Sequence, residues 1–299
     1  MTRCVLLVNP RSGRGRNLHE ARAVEDRLRD GGLDVTTRCP GSVHQARDEA
    51  TAAVLAGIDV LTVMGGDGTV HLALQAVLGT ATRLGVIPTG TGNDVARSLG
   101  VARASAVAAA DVIVAGHTRR MDLGRIVTRT ASTYFATVLA TGFDSLVNER
   151  ANAMSWPRGQ SRYTLATLAQ LRVFEPLSYS LELDGRTEHL EAMLVAVGNG
   201  PSYGGGLRMC EGAVLDDDRL DVVIIGPMSK PELLRVYPRL FRGTHVTHPA
   251  YRRERVSTVT VASAGIVAYA DGERVGPLPL SVETIPAAVE VCVPARLAS

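Results

Sequence analysis

Residues 60–78 constrain the fold more tightly than any other stretch of this chain. Val60-Leu61-Thr62-Val63-Met64 is a short, Val-rich apolar run of the kind a parallel sheet buries. Gly65-Gly66-Asp67-Gly68 follows, and its glycines let the backbone turn sharply while leaving room for a bulky group beside it. Thr69 stands where it can cap a helix, whose apolar positions Val70, Leu74, Val77 and Leu78 recur at helical spacing. Strand, turn and helix start together present free N–H groups and a positive dipole end to a phosphate. A glycine turn also serves plain βα geometry, so this stretch needs support from the rest of the chain.

The pattern recurs on either side. Cys4 to Val8 reads as a first buried strand, stopped by Pro10 and followed by the basic turn Arg11-Ser12-Gly13-Arg14-Gly15-Arg16. A helix over Leu18–Asp30 closes at Gly31-Gly32, Asp34–Arg38 is a second strand, and Val43–Ala56 is a second helix. After the central unit, Arg83–Pro88 forms a further strand, Thr89-Gly90-Thr91-Gly92-Asn93-Asp94 a turn, and Val95–Leu99 a helix. Such alternation predicts an α/β domain with a parallel, right-handed βαβ sheet, its ligand site at the carboxyl ends of the strands.

Beyond residue 115 strand-like stretches follow one another: Met121–Val127, Thr133–Leu139, Leu177–Leu183, Ala192–Val197, Leu220–Ile225, Val256–Val261 and Ala288–Val293. Turn pairs Asp184-Gly185 and Asp271-Gly272 suit antiparallel hairpins. Helical segments interrupt at Asp144–Phe174 and Pro231–Phe241. The expected organisation is an α/β domain over residues 1–128 and a mostly antiparallel β domain over 129–299, with the active site in the cleft between them.

Charge and cysteines exclude several classes. A net charge of +2 on 299 residues implies no nucleic-acid partner. The four cysteines are scattered without a CxxC pair, so they read as reduced thiols in a cytoplasmic protein rather than a zinc or redox motif. No apolar run approaches the eighteen residues of a membrane span, and the expected protein is soluble, with at most transient contact at a membrane surface. A P-loop lysine is missing, and Val95 stands where a dinucleotide fingerprint needs its third Gly or Ala.

Taken together, Asn9-Pro10 with Ser12-Gly13, Gly65-Gly66-Asp67-Gly68-Thr69, Gly90-Thr91-Gly92-Asn93-Asp94, Met121-Asp122-Leu123-Gly124, Thr141-Gly142-Phe143-Asp144, Gly198-Asn199-Gly200, Tyr203-Gly204-Gly205-Gly206 and Asp271-Gly272-Glu273 resemble, in order and spacing, the diacylglycerol kinase catalytic-domain family. That family includes soluble bacterial lipid kinases and sphingosine kinases, and its first domain is similar to those of phosphofructokinases and NAD kinases. The resemblance runs through nearly the whole chain. It implies an ATP-dependent kinase that uses Mg²⁺ to phosphorylate a lipid alcohol. Which lipid is left open, as is a homodimer. Alternatives are an NAD-kinase-like or other small-alcohol kinase, and a catalytically silent nucleotide-binding regulator.

Carried over residue by residue, the resemblance makes Asn9, Pro10, Ser12, Gly13, Thr37, Gly65, Gly66, Asp67, Gly68, Thr69, Gly90, Thr91, Gly92, Asn93 and Asp94 nucleotide contacts. Arg14 or Arg16 would add charge. Asp67, Asp94 and Asp122 are each expected after a buried strand at the cleft mouth; three carboxylates beside a triphosphate make sense with Mg²⁺ between them, held through water by Asp67 and Asp122. Glu273, with Asp271 and Asp122, forms the catalytic set. A carboxylate at Glu273 would take the proton of the lipid hydroxyl. The acidic run 214–221 resembles the family's structural Mg²⁺ loop, with the Asp217 side chain and the Val214 and Arg219 carbonyls as ligands, although Asp218 replaces the usual Gly. Asp tolerates left-handed backbone better than most residues. In the segment 144–174, Tyr163, Leu165, Leu168, Leu171 and Val173 suggest an ordinary core face, or else a wall for acyl chains. His245 and His248, three apart beside Pro249, make a poor metal pair.

Overall fold

The computed structural model describes residues 1–13, 17–102, 104–154, 156 and 160–298. The chain opens as four parallel strands linked by helices: β1 (Thr2–Val8), α1 (Asn17–Asp30), β2 (Leu33–Arg38), α2 (Val43–Leu55), β3 (Val60–Gly65), α3 (Asp67–Val77) and β4 (Arg83–Pro88). Strands lie in the order β2-β1-β3-β4. Both faces of this sheet are covered. Cys4, Leu6 and Val8 of β1 join a core under α1, while Val5 and Leu7 join another under α2 and α3, which is why these strands are apolar without alternation. The helix after β3 starts earlier than the sequence suggests: Gly66 is the N-cap, and Thr69 lies in the first turn.

After α4 (Asp94–Ser98) and α5 (Ala106–Ala115), β5 (Thr118–Val127) and β6 (Ser132–Phe135) pair antiparallel, and β7 (Val138–Ala140) enters a different sheet. The single strand expected over Thr133–Leu139 is therefore two, broken at Ala136 and Thr137. Their N–H groups donate to the Asp271 carboxylate instead of continuing a ladder. Helices α6 (Phe143–Ala153) and α7 (Gln160–Val173) follow, so the long segment 144–174 is two helices. Its expected core face is also different. Leu165 and Val173 are exposed, Ala166 and Phe174 are buried, and the side chains of Tyr163, Leu168 and Leu171 lie outside the described residues.

The remaining strands are β8 (Leu177–Leu183), β9 (Arg186–Ala192), β10 (Leu194–Gly198), β11 (Leu220–Ile225), β12 (Tyr251–Val256), β13 (Thr258–Ala262), β14 (Val267–Ala270), β15 (Glu273–Pro277) and β16 (Leu280–Cys292), with α8 (Lys230–Leu240) between β11 and β12. A second expected strand, Val256–Val261, is likewise split between sheets at Ser257, where Asp184 accepts from the N–H groups of Ser257 and Thr258. The hairpins at Asp184-Gly185 and Asp271-Gly272 both have positive φ at both turn residues, as type I′ turns require. β9 and β12 escape the sequence pattern because they are polar strands at the sheet edges.

Among the described residues the strands form two sheets, of ten and six. The six-stranded sheet, β12-β11-β10-β7-β14-β15, packs one face on the larger sheet through Leu139, Val195, Val197, Val222 and Ile224, against Leu181, Val259, Val261 and Val282. Its alternate residues Val138, Leu194, Ala196, Val223 and Ile225 meet α6, α7 and α8. β16 is the seam of the molecule. It pairs parallel with β4 at Val291–Leu84, antiparallel with β5 along nearly its whole length, and antiparallel with β13. The N-terminal parallel sheet thus runs without a break into antiparallel strands.

Asp144, in the first turn of α6, is buried in this core with the Tyr203 hydroxyl donating to it. Burial raises its carboxyl to about 6. Because the folded-state value lies above the unfolded one, the contribution of this group to stability falls as pH rises from about 4 to about 6 and is level above. Asp144→Asn, which cannot ionise, should gain on the parent by about 2–3 kcal/mol across that window in denaturant unfolding. Parallel pH profiles for the two proteins would contradict this.

Candidate active site

Three turns at the carboxyl ends of β1, β3 and β4 are joined by side-chain amides. Asn17 Nδ2 donates to the Asn9 carbonyl at 2.8 Å and to Thr89 Oγ1 at 2.9 Å, and Asn9 Nδ2 donates to Thr69 Oγ1 at 3.1 Å. Asn93, at φ 55°, closes the third turn on itself: its Oδ1 accepts from Gly90 N–H at 3.0 Å and its Nδ2 donates to the Gly90 carbonyl at 2.8 Å. Gly66 and Gly90 touch backbone to backbone. A Cβ on Gly90 would stand 2.5 Å from Gly66 Cα. Ser12 Oγ lies 3.9 Å from where a Gly66 Cβ would be, so the first turn reaches the same spot. The first-turn amides of α3, from Asp67 and Gly68, have no intrahelical acceptor.

Asp67 and Asp94 meet here. Asp67 Oδ1 accepts from the N–H groups of Asp94 at 2.7 Å and Val95 at 3.3 Å. Its Oδ2 borders Gly92, where an added Cβ would lie 2.5 Å from it and 3.5 Å from Asp94 Oδ2. Burial, and then the neighbouring Asp94 charge, push the Asp67 carboxyl up to about 6. Asp94 is fixed from the β domain: Ser202 Oγ donates to Oδ1 at 3.2 Å and Gly205 N–H to Oδ2 at 2.7 Å. Arg97 Nε also lies 3.7 Å from Asp94 Oδ1, so Asp67 Oδ2, beside the open glycine turn and without a hydrogen-bond donor among the described residues, is the oxygen left to face a hydrated divalent cation.

The opposite wall comes from the β14–β15 hairpin. Asp271 is buried, accepting from Ala136 N–H at 2.7 Å, Thr137 N–H at 2.9 Å and Thr137 Oγ1 at 2.6 Å, with His71 Nδ1 at 3.5 Å. Burial alone would raise its carboxyl, but His71, Thr137 and the Ala136 amide outweigh it and hold it below the usual range. Glu273 opens β15 with an exposed side chain, and its Oε1 lies 2.9 Å from where a Gly68 Cβ would be. The hairpin is braced on α6, where Glu149 accepts from Tyr269 OH at 2.6 Å and Arg274 Nε at 2.9 Å. Asn199 ties the two halves from below, its Nδ2 donating to the carbonyls of Asp122 at 2.8 Å and Ala136 at 2.9 Å.

Not every expected residue joins this group. Asp122 lies inside β5 rather than after a strand, and both its oxygens accept backbone N–H groups, from Asp218 at 2.8 Å and Ala287 at 2.7 Å. It braces the acidic loop and the β16 bulge, not the mouth between the turns. Asp218 does take the left-handed conformation, at φ 57°. The loop nevertheless does not suit a structural cation: Arg255 pairs with Asp217 Oδ2, the Arg219 N–H donates to Oδ1 at 3.2 Å, and Arg119 pairs with Asp216. A metal at Asp217 would have to displace a guanidinium. Thr37 pairs with Leu6 in the sheet, its hydroxyl buried with no partner among the described residues. Arg14 and Arg16 lie outside the described residues. His245 meets the Met209 carbonyl and His248 meets Glu232, so the two histidines face different partners. Sequence reasoning passed over His71, Asn17 and Ser202. His71 had a legible signal, since it lies four residues after Asp67 and so on the same face of α3. A groove of about 670 Å³ lined by Tyr179, His189, Leu190 and Pro279 sits at the far edge of the ten-stranded sheet and shares no residue with the site.

Comparison with known proteins bears on this arrangement. The diacylglycerol kinase catalytic domain matches residues 3–126, and the YegS C-terminal NAD kinase beta sandwich-like domain matches residues 137–293. A diacylglycerol kinase of Mycobacterium tuberculosis H37Rv is 44% identical over 96% of this chain and 94% of its own length. One from Bacillus subtilis 168 is 30% identical over 93% and 92%. The crystal structure of a diacylglycerol kinase from Bacillus anthracis Sterne superposes with a TM-score of 0.75 at 19% identity, covering 99% of this chain and 98% of that one, so the folds agree throughout.

The contact between the glycine turns yields a prediction. Gly90→Ala forces a methyl group against the Gly66 backbone, which has no flexible end to yield, and should cost about 1–3 kcal/mol. Gly272→Ala meets open space and carries only the strain of a positive φ, about 1 kcal/mol. Urea unfolding of the two variants should reproduce that order.

Proposed function

This chain belongs to the diacylglycerol kinase family, as a phosphotransferase acting on an alcohol group, and from that premise we propose that it moves the γ-phosphoryl group of ATP to the hydroxyl of a diacylglycerol-like or sphingoid lipid. The observation that carries the reading is the placement of the Glu273 carboxylate over the Gly68 turn, with one group from each half of the chain. The triphosphate lies along the turns at Gly65–Thr69 and Gly90–Asp94, where backbone N–H groups take the place of a P-loop lysine. Asn9, Ser12 and Gly13 border the same space. Thr37, whose hydroxyl has no partner among the described residues, contacts the nucleoside end.

Asp67 and Asp94 are the residues that would hold a Mg²⁺ ion, which would supply positive charge to offset that on the transferring phosphoryl group. Glu273 holds the acceptor hydroxyl and takes its proton as the new O–P bond forms and the β–γ bridging bond breaks, so that ADP leaves. Asp271 acts through position: it fixes the turn that aims Glu273. Asp122 supports the loop beneath rather than the reacting atoms. The catalytic carboxylate comes from the β domain and the phosphate-facing turns from the α/β domain, so the two must stay in register for transfer.

Incubation with labelled ATP and a panel of dispersed lipid alcohols tests the proposal, and no transfer to any of them would overturn it. Glu273→Gln keeps the shape of the side chain and removes the proton acceptor. Its kcat should fall by roughly 10²–10⁴-fold, with nucleotide affinity by calorimetry unchanged. Loss of ATP binding without selective loss of turnover would make Glu273 a nucleotide contact instead.

A further inference from the structure

Helix α8 carries an arrangement that neither the core nor the phosphate site requires. A capping box at Ser229 and Glu232, with proline next inside, fixes its start, and Leu233, Val236 and Leu240 bury one face. A helix held this way ordinarily turns charge to water on the next face round. Here Leu234, Pro238 and Phe241 follow at i, i+4 and i+7 in one row, with Leu234 50% and Phe241 48% exposed. Beyond them runs a row of arginines, Arg235, Arg239 and Arg242. Arg239 is turned onto the Thr244 carbonyl and Thr247 Oγ1. Arg235 and Arg242 are exposed and make no ion pair among the described residues. Glu232, the one acid of the helix, is committed to the cap and to His248.

We propose that this face of α8 is where the protein rests on an anionic lipid bilayer, with Leu234 and Phe241 at the acyl boundary and Arg235 and Arg242 among acidic headgroups. The inference rests on the lipid-kinase reading for its purpose, since the acceptor lives in that bilayer. Charge of one sign beside a solvent-facing apolar row is the pattern of an interfacial helix. A ridge led by two large apolar side chains is far smaller than the roughly 1,200–2,000 Å² of a stable protein interface, yet it suits shallow insertion. Position agrees. At the C-terminal end of α8 the Leu240 carbonyl accepts from Arg208 N–H at 3.0 Å. Three residues earlier in that loop, Gly205 donates to Asp94. One short loop therefore joins the bilayer face to the phosphate site.

Sedimentation with vesicles tests this directly. The parent should bind vesicles of phosphatidylglycerol and phosphatidylcholine, weaken with salt, and bind pure phosphatidylcholine poorly. Leu234→Asp with Phe241→Asp should lower partitioning at least ten-fold, and Arg235→Ala with Arg242→Ala by about five-fold for each arginine lost. Both pairs should keep the parent rate on a short-chain diacylglycerol in detergent micelles and lose rate on diacylglycerol held in vesicles. Should the aspartate pair fail to fold, the alanine pair at exposed positions carries the test. The proposal is overturned if the parent ignores anionic vesicles, or if both variants bind them as it does. It also falls if the aspartate pair splits a dimer on gel filtration, which would make this face a contact between copies. Vesicle binding without transfer to any lipid leaves the surface standing and removes the kinase reading; transfer to micellar lipid without vesicle binding does the reverse.

Discussion

The Asp271 carboxylate sits where the two halves of the chain meet, and donors from the crossover between sheets hold it there. Ala136 and Thr137 supply amides and Thr137 its hydroxyl, while the His71 ring of α3 stands 3.5 Å away. A buried charge left without such partners would cost several kcal/mol. The geometry of the rest follows from meeting that demand. The chain must leave β6 at Ala136 to offer its amides, β7 must then begin in the other sheet, and the hairpin carrying Asp271 must lie against both. Glu273, two residues on, is thereby aimed at the Gly68 turn.

The same device recurs at three other breaks in a strand or turn. Asp184 takes the amides of Ser257 and Thr258 at the second crossover, Asp122 those of Asp218 and Ala287, and Asp67 those of Asp94 and Val95. Each carboxylate gives unpaired backbone donors an acceptor that no ladder supplies. Among these four, Asp67 differs in having its second oxygen turned toward the Gly92 turn beside Asp94.

Much of this was legible in the sequence, because the physics was local. Val60–Gly65, the Gly66 turn and the apolar period of α3 each report their own conformation, and the Asp-Gly pairs announce type I′ hairpins. What escaped was set by partners distant in the chain. The largely apolar run at Thr133–Leu139 reads as one strand until Asp271, 135 residues beyond Ala136, claims its amides. The acidic loop reads as a metal site until Arg255 arrives from β12. Asp122 matches Asp67 and Asp94 in residue type, but it lies inside a strand with the acidic loop and the β16 bulge across from it. Tyr251–Val256 has too many arginines to read as a strand, since an edge needs only one buried side.

The seam strand β16 has a consequence for biosynthesis. Translation delivers residues 1–127 long before Leu280–Cys292, so the nascent α/β half waits with β4 and β5 lacking the neighbour between them. An unpaired strand edge is a template for wrong partners, and the wait lasts for some 150 residues of synthesis, on the order of ten to thirty seconds at common ribosome speeds. The α/β half therefore keeps two unfilled strand edges until β16 emerges. Its completion is coupled to the emergence of nearly the entire polypeptide, and a ribosome that stalls late leaves both halves open, a state that chaperones and proteases recognise.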